Sequence, residues 1–115
     1  MDVPMPAVDE HLREAKAVAE QAITERLLNG FDACYADYHR EFVDASSPEA
    51  RLLRGLDKVQ MMVKVLMYER EHRGRLDEFW TNPRNFADFG IAHVSRIFDA
   101  ICAEAGRECP ADVVR

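Results

Sequence analysis

An all-α fold of four to five helices around one long central helix is what this sequence predicts, from three observations. Apolar residues recur at three- and four-residue spacing through each long stretch, no stretch alternates as a strand would, and the five Gly and five Pro fall between the apolar runs. The chain of 115 residues fits one domain, 1–115, and has length enough for a core without staples. With 48% apolar and 31% charged residues it reads as globular rather than disordered.

The first helix spans about residues 8–28, carrying Val8, Leu12, Ala15, Ala19, Ala22, Ile23 and Leu27 on one face, and Asn29-Gly30 supplies its stop. A shorter helix follows with Phe31, Tyr35, Tyr38 and Phe42 on one side. In ASSPEA, Ser47 can cap a third helix, Pro48 suits its first position and Glu49 favours the positive end of its dipole. That helix should be the longest, running to about Arg73 and closed by Gly74, with Leu52, Leu56, Val59, Val63 and Leu66 as its inward stripe. Met61, Met62 and Val65 lie off the stripe, a pattern expected of a central helix packed on several faces. RLDEFW reads as a short helix broken at Asn82-Pro83. A last helix starts near Ile91, turns Val94, Ile97, Phe98, Ile101 and Ala105 inward and stops at Gly106, leaving residues 107–115 as a loose tail.

A net charge of −6 disfavours a nucleic-acid polymer as partner. Cys34, Cys102 and Cys109 form no CxxC pair and are odd in number, which fits reduced thiols in the cytoplasm better than a stapled secreted domain. No signal peptide is visible, and no run approaches the ~20 apolar residues of a membrane helix. A soluble cytoplasmic protein without membrane contact is expected.

One carboxylate stands out. Asp57 lies inside the most apolar helix, about 110° from the centre of its inward stripe by helical projection. As a flank residue it could simply be wet; if enclosed, it demands a metal ion or an arginine. The histidines His11, His39, His72 and His93 show no metal-ligand spacing. The run YEREHRGR, residues 68–75, reads either as a solvated helix end or as a phosphate-facing cluster. Phe79 and Trp80 read as a lid over the core rather than as a base-stacking pair.

The stretch from Ser46 to Trp80, within a match of roughly residues 44–82, resembles the C-terminal half of HD-domain metal-dependent phosphohydrolases, closest to their 5'-deoxynucleotidase branch. The resemblance is carried by Ser47 to Ala50, Leu56-Asp57-Lys58, Tyr68-Glu69, Gly74-Arg75-Leu76 and Phe79-Trp80. The start Met1-Asp2-Val3-Pro4 is similar to the family's Gly-Asp-[Ile/Leu/Val]-Pro stretch, with methionine where the family has glycine. The resemblance implies a divalent metal held in part by Asp57, a catalytic role for Asp2, and a small nucleotide, a nucleoside 5'-monophosphate, as substrate. The family's remaining ligands, a histidine and a His-Asp pair, and a glutamate that assists, have no counterpart here. The expectation is therefore an incomplete phosphohydrolase, inactive alone, that a missing N-terminal HD segment would complete, with Asp2 and Asp57 around one concave space.

The alternative is a non-catalytic oligomerisation or interaction module of the same descent, self-associating as a dimer. A salt-bridged or fully solvated Asp57, with Asp2 far from it, would favour a third reading, an unrelated helical binding protein.

Overall fold

In the computed structural model, which describes residues 9–110, these residues are all-α. The helices are α1 (Glu10–Leu27), α2 (Ala33–Asp44), α3 (Pro48–Arg70), α4 (Asp77–Thr81) and α5 (Ala92–Ala105), with a 3-10 turn at Pro83–Phe86. The chain divides into two compact units, residues 1–41 and 42–115.

In the first unit, the Asp9 carboxylate caps α1 by accepting the Leu12 N–H at 2.8 Å. The helix buries none of its residues, and Val18 and Leu27 are exposed. Asp32 caps the start of α2 by accepting the Cys34 N–H at 3.0 Å. The aromatic face expected of this segment is also open, with Phe31, Tyr35 and Tyr38 exposed.

In the second unit, α3 begins as the sequence predicts. Ser47 Oγ accepts the Ala50 N–H at 3.1 Å, with Pro48 in the first turn and Glu49 beside it. It ends sooner than expected, because His72 takes a left-handed conformation (φ 58°) and the Arg73 N–H turns back onto the Tyr68 carbonyl at 2.9 Å.

The core is built from Met62, Val65, Trp80, Phe86, Val94, Phe98, Ile101 and Cys102. The Phe86 ring meets Phe98 edge-on at 5.4 Å, and Trp80 at 6.3 Å in a tilted arrangement. Asn85, buried beside Phe86, donates to the Phe79 carbonyl at 3.0 Å and so ties the 3-10 turn to α4.

Of the predicted stripe of α3, Val59 and Leu66 pack half-buried against the core, and the off-stripe Met61, Met62 and Val65 pack inward as expected of a central helix, but the rest of the stripe does not. Ala50, Gly55, Met62 and Val65 are buried, whereas Leu52, Leu53, Leu56, Val63 and Met67 are exposed. The cause is Gly55. With no side chain there, α5 approaches so closely that a Cβ added at this position would lie 3.1 Å from both methyls of Val94. Apolar bulk points α3 the wrong way; the gap decides it. Substitution Gly55→Leu is expected to lower the unfolding free energy by about 1–3 kcal/mol through overpacking. An unchanged urea midpoint would contradict the close approach.

The last helix carries Val94, Phe98 and Ile101 inward as expected, but Cys102 replaces Ile97 on the buried face. Its end corrects the reading of three unpaired thiols. Gly106 adopts φ 67°, the Arg107 N–H bonds the Cys102 carbonyl at 2.9 Å, and the chain doubles back. Cys109 is thereby brought over Cys102, forming a disulfide with Cα atoms 5.8 Å apart and leaving Cys34 as the free cysteine. No helix among the described residues is long and apolar enough to cross a membrane.

Candidate functional site

Asp57 sits in the first half of α3, and the turn before it is held firmly. Arg54 Nη1 donates to the Val43 carbonyl at 2.6 Å, and its guanidinium lies 5.0 Å from the centre of the Phe89 ring and 5.8 Å from that of Phe42. These contacts fix the register of the helix at Asp57. The carboxylate itself is exposed. It has no hydrogen-bond or ion-pair partner among the described residues.

Asp2, the other sequence-predicted site residue, lies outside the described residues. The concave space expected around the two carboxylates therefore falls partly outside the described residues. Among the described residues no group of three His, Cys, Asp or Glu side chains stands close enough to hold a metal ion. A catalytic zinc takes three protein donors plus water, and harder ions take about six ligands. The described donor set around Asp57 does not fit such an ion.

The charged run at the end of α3 resolves into pairs. Arg70 bonds Glu104 at 3.0 Å, Arg73 bonds Glu71 at 2.8 Å, and Arg107 bonds Asp77 at 2.6 Å and Glu69 at 3.3 Å. Trp80 donates its indole N–H to Glu69 from beneath Arg107, whose guanidinium lies 5.1 Å from the centre of the ring. Trp80 is a core residue with a polar handle. The cations face acids of the same chain instead of converging on a phosphate-sized space. An open hollow lined by Leu66, Glu69, Arg70, Glu104, Ala105 and Arg107 adjoins this cluster. From Asp57 to Glu69 is about 18 Å along the helix, so the hollow is remote from the candidate carboxylate.

Arg107 holds the Asp77 carboxyl below its usual range, chiefly by hydrogen bonding and secondarily by charge. A carboxyl with a depressed folded pKa stabilises above its unfolded pKa and loses that contribution as pH falls through the folded value. Acidification below ~4 is therefore expected to loosen Arg107 from Trp80. Tryptophan fluorescence should shift there, and the Asp77→Asn variant should lack that shift; identical profiles for the two would contradict it.

Sequence reasoning missed one buried carboxylate. Asp88 is 2% exposed and accepts the Gly90 N–H at 2.9 Å, while its carbonyl accepts the Ile91 N–H at 2.9 Å. Phe89 and Gly90 both have positive φ, so Asp88 shapes the turn that launches α5. The signal was the Asp-x-Gly spacing, which favours such a turn.

Fold and site together describe a small all-α domain whose longest helix exposes the Asp57 carboxylate. The HD-domain family model matches residues 2–87, most of the chain, and the chain belongs to that family. The match takes in α1 through the 3-10 turn and stops short of α5. No curated protein and no solved structure matches the chain. The reading of an unrelated helical protein is set aside by the family match. HD domains generally depend on a divalent metal, and this family places the chain in a superfamily of phosphohydrolase type.

Proposed function

We propose that the chain supplies the later carboxylate of an HD-type metal centre, Asp57, together with an assisting acid, Asp2, and corresponds to the C-terminal half of a 5'-deoxynucleotidase-like phosphohydrolase. The observation that carries this reading is Asp57 itself, within Leu56-Asp57-Lys58, exposed on a helix held in register by Arg54 and unclaimed by a partner among the described residues. The completed centre would act on nucleoside 5'-monophosphates. The sequence contains no His-Asp dipeptide, so the remaining donors must come from residues other than these. By itself the chain is expected to be inactive.

The test is to join the chain behind a segment carrying the histidine and His-Asp donors of an HD nucleotidase. Phosphate release from nucleoside 5'-monophosphates is then measured with Mn2+ or Co2+. Metal-dependent release by the joined protein and none by the separate chain is expected. Turnover by the separate chain would overturn the reading.

A second reading is favoured by the open apolar face of α3: a non-catalytic module that self-associates. Exposed apolar patches of several hundred Å² mark interaction surfaces.

A further inference from the structure

The end of α5 holds a pair of sulfurs that the HD-type reading does not use. Cys102, 3% exposed, stands in the last turns of the helix. Cys109 follows seven residues later, half-buried, with its Sγ 3.5 Å from the Phe98 carbonyl oxygen. The backbone brings the two together. Gly106 takes φ 67°, its N–H bonds the Ala103 carbonyl at 3.1 Å, and the Arg107 N–H bonds the Cys102 carbonyl at 2.9 Å. These bonds close the helix whether or not the sulfurs are joined, so the two thiols stay neighbours when reduced. The ring that the link closes is short, and a short ring constrains the unfolded chain less than a long one.

Arg107 lies inside that ring. Its guanidinium bonds Asp77 at 2.6 Å and Glu69 at 3.3 Å and lies 5.1 Å from the centre of the Trp80 ring, so it joins the tail to both α3 and α4. Ion pairs as open as these contribute little by themselves. Arg107 keeps its place because the chain is anchored on both sides of it, by the helix cap before and by Cys109 after.

We propose that Cys102 and Cys109 form a reversible thiol–disulfide exchange site for low-molecular-weight disulfides of the glutathione class, and that closing it tightens Arg107 over Trp80. Cys109, the more accessible sulfur, gives its proton to water and attacks the small disulfide. It forms a mixed disulfide with one half and expels the other as a thiolate, which takes up a proton. Cys102 then loses its proton, attacks Cys109 Sγ and expels the second half in the same way. Two protein thiols are oxidised and one small disulfide is reduced to two thiols; an excess of small thiol runs the steps backward. Every group involved belongs to the unit of residues 42–115, and Asp57 has no part, so the proposal stands apart from the HD-type reading.

The test uses the full chain in a Cys34→Ser background, reduced and then exposed to millimolar oxidised glutathione, and afterwards to millimolar reduced glutathione. Intact mass is followed together with acrylamide quenching of Trp80, the single tryptophan. The mass is expected to fall by two hydrogens and then return, and quenching to be about twofold weaker in the linked form. Cys109→Ala should show neither change, and Arg107→Gln should keep the mass change but lose the difference in quenching. A link that reduced glutathione leaves intact in the folded chain, or thiols that oxidised glutathione leaves unlinked, would overturn the exchange site. Quenching that ignores the redox state, or that responds equally in Arg107→Gln, would overturn its coupling to Arg107.

Discussion

Replacing Phe98 by alanine is expected to lower the unfolding free energy by about 3–5 kcal/mol, the range for truncating a large aromatic in a core. Phe98 is 2% exposed, stands on α5 and meets Phe86 edge-on, so its removal opens a cavity where α5 and the 3-10 turn meet. Domains of this size are stable by only about 5–15 kcal/mol, so the loss takes a large share of the total. Leu56→Ala is the matched control. Leu56 belongs to the stripe that the sequence points inward, yet it is exposed on α3. Its truncation should move the urea midpoint of the dilute monomer little, within about 0.5 kcal/mol. Equal effects of the two substitutions would mean that α3 packs through the other face.

The second large effect is on activity. In the chain joined to the missing HD-type donors, Asp57→Ala is expected to lower phosphate release by about a thousandfold or more. Removing a ligand from a metal centre disables the ion that carries the chemistry. Asp57→Asn should be nearly as damaging, since the neutral amide is a poor ligand for a hard cation. Neither variant should unfold the protein, because Asp57 is exposed and outside the core cluster. A joined enzyme whose turnover ignored both substitutions would remove Asp57 from the site.

The element boundaries were legible because their signals are local. Ser47-Pro48-Glu49 marks the start of α3, and Gly106 the end of α5, with chemistry confined to one turn. The inward face of α3 was legible only in part: Val59, Leu66, Met62 and Val65 pack inward, but Leu52, Leu56 and Val63 do not. It depends on a missing side chain at Gly55 meeting Val94, about forty residues later, and periodicity counts only the side chains that are present. The Cys102–Cys109 link was hidden for a related reason. It needs the reversal at Gly106, and spacing alone gives no sign of it.

At the candidate site the sequence singled out Asp57 by its setting, and the family model spans the segment that contains it. Its exposure could not be read, because a position at the edge of an apolar stripe is buried or wet according to which face packs. Asp88, the carboxylate that is buried, was not singled out in the sequence.

Calorimetric titration of Mn2+ into the separate chain, and into the chain joined to the HD-type donor segment, tests the claim of a divided coordination sphere most directly. The account predicts no saturable site below millimolar concentration in the separate chain. In the joined protein it predicts one site per chain that Asp57→Ala abolishes. A tight stoichiometric site in the separate chain, indifferent to Asp57→Ala, would contradict it.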